Sequence, residues 1–268
     1  MRIIIPTHGR VAKQVTLRSL SAELAKATTL VASSASEAEA LSANYRGTKV
    51  RVTWAPVKTI ADKRQWILEN IKDDVFMLDD DMAFYKRCQL FDRSFVEGRW
   101  KAKLGAKTLS LDYVSDSGLE FLFSSLSAAL MVYSSVGISS RFGNDLEQRE
   151  EKIGANRLMH GFGYSRKTLL KLGFKFNAVQ FREDFHMALT LLRTGRESLQ
   201  RYDWCVAPGA YGAPGGCADE RTVAASDAAA HKLAALHPGF VRVVDKTYKG
   251  SPRKEVVVSW KRALESAA

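Results

Sequence analysis

The sequence predicts an α/β protein with a central, mostly parallel mixed sheet flanked by helices. Short apolar runs alternate with segments of helical periodicity through residues 3–78. Such alternation is typical of βαβ units, whose right-handed crossovers place parallel strands side by side. The last of these runs, 75–78, ends in Asp79, Asp80 and Asp81. Because open α/β sheets bind ligands at the carboxyl ends of their strands, this edge is the expected functional site.

The N-terminal half contains the regular part of the predicted fold. Strands are expected at 3–5, 30–32, 49–54 and 75–78. Helices are expected at 11–27, 37–45 and 60–72. Ser36, with Glu39 three positions later, resembles a capping box at the start of the second helix. The spacing of Ile60, Ile67 and Ile71 gives the third helix one apolar face.

The second half is less regular. Helices are expected at 112–134, 165–172 and 185–192, strands at 136–140 and 160–164, and a polar loop at 141–156. The segment 208–216 holds four glycines and two prolines, which is typical of a loop over a site. We expect a core over residues 1–200. Residues 201–268 would add a glycine-rich active-site loop and a basic C-terminal extension packed on the same domain.

Composition indicates a folded protein with an acidic partner. The chain has 268 residues, 46% of them hydrophobic, which suffices for a large core and excludes a disordered protein. Its net charge of +11 favours a polyanionic partner. Two basic tracts, 86–107 and 242–262, each carry seven Lys or Arg against two acids and could line a path for nucleic acid. A solvated basic surface is the alternative interpretation.

Cysteine usage and hydropathy indicate a cytoplasmic setting. Cys88, Cys205 and Cys217 form no CxxC pair and no zinc spacing, which fits a reduced intracellular environment. The apolar N-terminal run stops at Pro6 and is too short for a signal peptide. The longest hydrophobic window, 119–138, carries a glutamate and several serines, which argues against a membrane span. We expect a soluble protein with no membrane association and no obligate protein partner.

The three aspartates are the strongest candidates for chemistry. Adjacent carboxylates repel one another, so a cation is expected to join them, and hard oxygen ligands suit Mg²⁺ or Mn²⁺. With an Asp-x-Asp spacing, Asp79 reaches a sugar hydroxyl or a metal-bound water while Asp81 binds the metal, which neutralises a departing diphosphate. A helix cap or a solvated turn is the alternative, but the apolar strand directly before the cluster favours a site.

A second acidic pair, Glu183 and Asp184, directly precedes the expected helix 185–192. A helix N-terminus carries positive charge and holds a carboxylate rigidly. The pair is therefore a candidate general base for an attacking hydroxyl, with Asp184 preferred over Glu183. An ordinary helix cap is the alternative.

Several basic residues are candidate ligands for phosphate. Arg10 follows the first strand and Arg64 lies one helix ahead of the aspartates, so both are natural contacts for a diphosphate or a nucleobase. Either could instead form a surface ion pair. Arg221, beyond the glycine-rich segment, would close on phosphate when that loop folds down. The histidines show no metal spacing and are expected to be structural, with His237 as an alternative late metal ligand.

The first basic tract contains the candidate nucleic-acid contacts. Trp100 lies between Arg99 and Lys101, a context typical of a residue that stacks on a base. Lys101, Lys103 and Lys107 would then contact phosphates. Core or surface packing is the expected role of the other tryptophans.

Four of these segments together resemble a glycosyltransferase of the GT-A type, with its Rossmann-like nucleotide-sugar-binding fold. They are IIIPTHGR at 3–10, IADKR at 60–64, the aspartate triplet, and Glu183-Asp184, and the resemblance covers residues 1–200. Two further segments, GGCADERT at 215–222 and LHPG at 236–239, resemble the phage TET-associated DNA glycosyltransferases. These bacteriophage enzymes are thought to decorate hydroxymethylated pyrimidines in DNA.

The resemblance implies roles for individual residues. Thr7, Arg10 and Arg64 would meet the nucleotide of a UDP-sugar, Asp79 and Asp81 the ribose and a Mn²⁺ or Mg²⁺ ion, and Asp184 the acceptor hydroxyl. The metal-binding histidine that many GT-A enzymes carry near the C-terminus has no clear match. The implied reaction is metal-dependent and inverting, with a 5-hydroxymethyl pyrimidine such as 5-hydroxymethylcytosine in DNA as acceptor. The enzyme would act in the host cytoplasm if phage-encoded.

Three other interpretations stay open from the residues. A GT-A enzyme acting on a polysaccharide or a protein would work without DNA. A noncatalytic nucleic-acid-binding protein would bind DNA even after Asp81→Ala and turn over no UDP-sugar. A nucleotidyltransferase also uses clustered aspartates, but the sequence has no glycine-rich phosphate loop to support one.

Overall fold

A computed structural model describes residues 1–87, 93–96, 99–102, 108–110, 116–141, 150–207, 222–248 and 250–267. The strands are β1 (Arg2–Pro6), β2 (Thr28–Ala32), β3 (Arg51–Trp54), β4 (Val75–Leu78), β5 (Ala83–Arg87), β6 (Arg93–Val96), β7 (Arg99–Ala102), β8 (Thr108–Ser110), β9 (Ser135–Ser140), β10 (Glu151–Gly154), β11 (Gly161–Tyr164), β12 (Ser198–Ala207), β13 (Val241–Tyr248) and β14 (Ser251–Val258). The helices are α1 (Val15–Arg18), α2 (Ala22–Lys26), α3 (Ala35–Asn44), α4 (Ile60–Asn70), α5 (Asp116–Ala129), α6 (Arg166–Lys171), α7 (Glu183–Leu192), α8 (Val223–Leu236) and α9 (Trp260–Glu265).

A large mixed sheet forms the centre of the molecule. Its strand order is β3-β2-β1-β4-β11-β9-β12-β5-β8, and β10 pairs with β12 at one end of that long strand. The four N-terminal strands run parallel, and β11 lies antiparallel to both β4 and β9. Strands β13 and β14 form a separate two-stranded ribbon, as do β6 and β7. The predicted α/β class, with a central mixed sheet flanked by helices, is confirmed.

Helices cover both faces of the sheet, which explains why residues 3–5 of β1 and the whole of β4 are apolar. Successive side chains of a strand point to opposite faces. Accordingly, Ile3 and Ile5 pack with α5 on one side, whereas Ile4 packs with α4 and α6 on the other. A third apolar cluster joins α7, α8 and α9 to the β13–β14 ribbon. The C-terminal residues are thus built onto the side of α7.

Gly161 and Gly163 allow β11 to pack tightly between β4 and β9. A Cβ on Gly163 would lie 2.9 Å from a ring carbon of Phe76 and 3.0 Å from a methyl group of Val136. A side chain at this position would therefore displace the ring or the strand. Because β11 begins at the residue after His160, this packing also fixes the position of His160 beside the candidate site.

The expected helix at 11–27 is wrong, because the chain forms α1 and α2 instead. The Thr16 hydroxyl donates to the carbonyl oxygen of Asp79 at 2.5 Å and accepts from the backbone N–H of Met82 at 2.7 Å. These contacts dock α1 on the end of β4. Ser21 then starts a new helix by accepting from the N–H of Leu24. A tertiary contact has overridden the continuous helical pattern.

Other boundaries also differ from the expectations. The capping box at Ser36 and Glu39 is wrong, since Ser34 caps α3 by accepting from the N–H of Glu37. The segment expected to be a polar loop contains β10 within its described part. Strand β12, Ser198–Ala207, belongs to the central sheet and includes residues on both sides of position 200, where the expected core ends and the expected extension begins. The glycine-rich segment 208–216 lies outside the described residues. Within those residues, the helices are all too short or too polar to cross a bilayer.

Candidate active site

The candidate site forms where β1 and β4 end side by side. Asp80 is buried at this edge, where its Oδ2 accepts from the Thr7 hydroxyl at 2.7 Å and its Oδ1 from Nη1 of Arg10 at 2.6 Å. Arg10 also lies 3.0 Å from Oδ2 of Asp81. Gln14 supports the group by donating to the Thr7 hydroxyl and to the Arg10 carbonyl. Residues that follow two separate strands, Thr7 and Arg10 after β1 and Asp80 after β4, therefore form one polar cluster.

Burial decides the ionisation of this cluster. It raises the pKa of Asp80 above the ordinary value, and the hydrogen bond from Thr7 and the charge of Arg10 offset only part of this effect. For the pKa of Arg10, the carboxylates outweigh the effect of burial. Burial alone would lower its pKa, but Asp80 and Asp81 together raise it. Asp80 is thus an internal partner of Arg10 and Thr7, and its accessible neighbours are Asp79 and Asp81.

Asp79 is held between the side chains of Arg64 and His160. Its Oδ1 accepts from Nη2 of Arg64 at 3.0 Å, and its Oδ2 lies 3.3 Å from Nδ1 of His160. Burial opposes ionisation of Asp79, but the His160 hydrogen bond and the Arg64 charge outweigh it, so the pKa is lowered. The carboxylate stays ionised and oriented at neutral pH.

His160 reaches Asp79 through an unusual backbone conformation. Its φ angle is 61°, in the left-handed region that non-glycine residues seldom adopt. The His160 carbonyl accepts from the backbone N–H of Asp79 at 3.2 Å, which clamps the two residues together. Burial lowers the pKa of His160, but the hydrogen bond and charge of Asp79, together with the charge of Asp184, raise it overall.

Arg64 joins the aspartate cluster to the start of α7. Its Nη1 donates to Oε1 of Glu183 at 2.8 Å, and its guanidinium lies over the Phe162 ring, 5.1 Å from the centroid. Both Arg64 and Glu183 are buried. Burial raises the pKa of Glu183 despite the Arg64 charge, and Asp184 and Asp79 add to the increase. Glu183 is therefore committed to Arg64, which leaves Asp184 as the more accessible carboxylate of the pair.

Lys63 is a buried lysine beside the site that sequence reasoning missed. Its Nζ donates to the carbonyl oxygen of Thr7 and to the hydroxyl of Ser33, each at 2.5 Å. The Ser33 hydroxyl also lies 2.9 Å from Nδ1 of His8. Lys63 thus ties α4 to the loops after β1 and β2. Its position beside Arg64 in the IADKR segment was the available signal.

Several predicted site residues lie where the structure describes no side chain. Arg221, Lys103 and Lys107 lie outside the described residues. For Trp100 and Lys101 the structure describes the backbone of β7 alone.

His237, the alternative late metal ligand, contacts α7 instead. Its Nε2 lies 2.8 Å from Nδ1 of His186, and its Nδ1 lies 3.2 Å from Nη1 of Arg193. Because arginine can only donate, Nδ1 of His237 accepts and its Nε2–H donates to His186. Burial lowers the pKa of both rings, to about 4 for His186 and about 3 for His237, and both are neutral in this arrangement.

The aspartates suit a divalent cation that arrives with its substrate. The side chains of Asp79 and Asp81 are 33% and 23% exposed, against 7% for Asp80. In the part of the chain that the structure describes, no group of three His, Cys, Asp or Glu side chains could hold a metal by itself. Mg²⁺-type ions are commonly bound by one or two carboxylates plus substrate phosphates. The donor set fits a metal held jointly with a diphosphate.

Comparisons with known proteins bear on the identity of this site. No curated protein matches the chain. A crystal structure of GalNAc-T7 with UDP, GalNAc and Mn²⁺ is similar at 9% sequence identity and a TM-score of 0.43, over 77% of this chain and 43% of that chain. The chain therefore spans less than half the length of that protein.

A family comparison gives a more direct result. The family described as TET-Associated Glycosyltransferase matches residues 1–211, well over half of the chain, and so covers both β4 with its aspartates and α7 with its acidic pair. The predicted enzyme class is confirmed by this match. The protein belongs to the TET-associated glycosyltransferase family.

Proposed function

We propose that the protein transfers a sugar from a UDP-sugar to the hydroxyl of a 5-hydroxymethyl pyrimidine in DNA, with inversion and with Mn²⁺ or Mg²⁺. The observation that carries this proposal is the contact chain Asp79–Arg64–Glu183. It connects the carboxylates that suit a metal-bound diphosphate to the start of α7, where Asp184 lies. A donor and an acceptor could therefore meet between two rigidly linked elements.

The donor side consists of Thr7, Arg10, Arg64 and Asp79. Thr7 and Arg64 are buried and donate hydrogen bonds to Asp80 and Asp79. We infer that they affect binding of the UDP-sugar by holding these aspartates in place. Arg10, at the surface of the cluster, would contact the nucleotide or its phosphates directly. Arg221 would add a phosphate contact from the far side.

Asp79 and Asp81 would hold the metal. When bound, the ion would neutralise the charge that develops on the departing UDP. Asp80 would not bind it directly, because its side chain is 7% exposed, against 33% for Asp79 and 23% for Asp81. His160 and Arg64 keep Asp79 ionised and aimed, so that the site is organised before the donor arrives.

Asp184 would act as the general base. In a single in-line displacement it takes the proton of the acceptor hydroxyl while that oxygen forms a bond to the anomeric carbon. The bond from that carbon to the diphosphate oxygen breaks, and UDP leaves with the electron pair. Glu183, held by Arg64, fixes the start of α7 and thereby the position of Asp184.

The acceptor is inferred from charge and from family membership. A net charge of +11 suits a nucleic acid. The chain also matches the TET-associated glycosyltransferase family, whose phage members are thought to decorate hydroxymethylated pyrimidines in DNA. Trp100, Lys101, Lys103 and Lys107 would contact the strand. UDP-sugars and DNA meet in the cytoplasm, the host cytoplasm for a phage protein.

The experiment combines purified protein, Mn²⁺, a panel of UDP-sugars and duplex DNA carrying 5-hydroxymethylcytosine or 5-hydroxymethyluracil. Digested nucleosides are weighed by mass spectrometry. We expect one hydroxymethyl nucleoside to gain the mass of one sugar. Transfer to a polysaccharide or protein, with all nucleosides unchanged, would favour the other acceptor class. DNA binding without turnover of any UDP-sugar would favour a noncatalytic binding protein.

A further inference from the structure

The β13–β14 ribbon has one face committed to the protein core. Its strands pair in register from Val241 opposite Val258 to Tyr248 opposite Ser251. Val241, Val256 and Val258 pack against α7, α8 and α9. The ribbon is attached further by a 2.7 Å hydrogen bond from the N–H of Lys254 to Asp227 in α8. The ribbon is therefore attached to the rest of the protein along one face.

The opposite face of the ribbon is basic. Arg242 pairs with Val257 and Lys246 with Arg253, and residues at such register positions share a face of the ribbon. Arg242, Lys246 and Val257 are exposed, as expected for the outward face. We call the exposed side chains of Arg242 and Lys246 the ribbon cluster.

Acidic residues do not cancel this charge. Glu255 shares the outward face, where it lies 2.8 Å from Arg253 and 3.5 Å from Arg182. Asp245 belongs to the other face and is paired with Lys254 at 2.6 Å. The outward face thus keeps two exposed cations, Arg242 and Lys246, spread along its length.

The outward face contacts the residue before α7, next to the candidate active site. Arg182, which contacts Glu255, directly precedes Glu183 and Asp184 at the start of α7. Glu183 in turn binds Arg64, the partner of Asp79. A polyanion lying on the ribbon would therefore run towards Asp184.

The dimensions and chemistry of the ribbon fit one partner, duplex DNA. A two-stranded β-ribbon fits the major groove of B-DNA, which is about 12 Å wide. Arg242 and Lys246 are separated by roughly 13 Å along the strand, as expected for four residues of extended chain. The substituent at C5 of a pyrimidine also projects into the major groove. A ribbon in that groove would thus lie beside the hydroxymethyl group.

We propose that the β13–β14 ribbon docks in the major groove of duplex DNA, with the ribbon cluster on phosphates and the acceptor hydroxyl presented to Asp184. This inference rests on the proposed function. The family match ends at residue 211, so the ribbon is an element outside the matched region. It supplies a contact in addition to those proposed for the 86–107 tract.

The test compares Arg242→Ala/Lys246→Ala with a matched control, Arg46→Ala/Lys49→Ala. The control removes the same two charges from exposed positions between α3 and β3. Binding to a hydroxymethylated duplex is measured over a range of salt concentrations, and affinity for UDP with Mn²⁺ is measured alongside. Each lost phosphate contact lowers the salt slope by about 0.9, so the ribbon variant should lose about 1.8 and the control nothing. UDP affinity should be unchanged in both.

A charge-preserving variant and a comparison with single-stranded DNA test the ribbon inference further. Arg242→Lys/Lys246→Arg keeps both charges and should restore the slope. An unchanged slope in the Ala variant, while the wild type still glycosylates DNA, overturns the ribbon inference alone. Equal losses on single-stranded DNA overturn its assignment to the groove. A wild type that binds UDP yet modifies no hydroxymethylated DNA overturns the proposed acceptor itself.

Discussion

Arg64 and Glu183 are 119 positions apart in the chain, yet their side chains meet inside the protein at 2.8 Å. The second arm of the same guanidinium holds Asp79 at 3.0 Å. One buried arginine thus sets the relative position of Asp79 and of α7. Any substitution that removes the Arg64 contacts with Glu183 and Asp79 should affect both stability and catalysis.

Arg64→Met should destabilise the fold strongly. It leaves Glu183 buried without its cation, and breaking such a buried pair costs about 3–5 kcal/mol. Urea unfolding should show this loss, with no comparable effect for Arg2→Met. Arg2 pairs with Asp73 at 2.8 Å on the surface, where an ion pair contributes about 1 kcal/mol or less. Equal losses in the two variants would mean that the Arg64–Glu183 pair has no special role.

Asp81→Ala should weaken metal-dependent binding of UDP while the protein stays folded. The Asp81 side chain is partly exposed and its described ion-pair partner is Arg10, so its removal leaves the core intact. We expect UDP affinity measured with Mn²⁺ by calorimetry to fall at least about tenfold, or about 1.4 kcal/mol. Asp73→Ala, an exposed acid remote from the cluster, is the control. Full affinity in Asp81→Ala would remove the cluster from metal binding.

Asp184→Asn should slow sugar transfer without weakening donor binding. A positioned general base contributes about 10²–10⁴ in rate, so kcat should fall by that order. The asparagine keeps the size and the position at the start of α7. UDP affinity should stay within about twofold, equivalent to about 0.4 kcal/mol. A variant that loses UDP affinity in proportion to its activity would contradict the base assignment.

The His186–His237 pair should make the fold sensitive to acid. The pKa of His186 is about 4 in the folded state, because the ring is buried, and about 6.5 when unfolded. Below pH 6.5 the unfolded chain binds a proton that the folded protein excludes, so stability falls as the pH drops towards 4.

The matching measurement is urea unfolding at pH 7.5 and pH 5. His186→Asn retains an acceptor for His237 and should recover about 2 kcal/mol of the stability that the wild type loses between these values. His231→Asn, which changes an exposed histidine of α8, should recover none. The same loss in all three proteins would exclude the pair as the acid-sensitive element.

The sequence predicted those features that local pattern determines. The bounds of β4 are as expected, and Asp79, Asp80 and Asp81 follow it at the sheet edge. Thr7 and Arg10 meet Asp80 because parallel pairing brings the ends of β1 and β4 together. The sequence placed Glu183 and Asp184 directly before a helix at 185–192. In the structure they lie in the first turn of that helix, α7.

Features that depend on distant contacts were not predictable. Thr16 interrupts the expected helix through bonds to Asp79 and Met82, which local periodicity does not encode. Strand β12 buries polar side chains such as Gln200 and Asp203, so its pattern does not alternate in hydropathy. The left-handed backbone at His160, stabilised by its clamp on Asp79, likewise carries no signal in the sequence.

The most direct measurement compares wild type and Asp81→Ala on the same duplex containing a 5-hydroxymethyl pyrimidine, with a UDP-sugar and Mn²⁺. Nucleosides from each reaction are weighed after digestion. We expect a sugar-bearing nucleoside from the wild type and essentially none from the variant. Equal yields from both proteins, or none from the wild type with any UDP-sugar, would contradict the proposed metal-dependent sugar transfer.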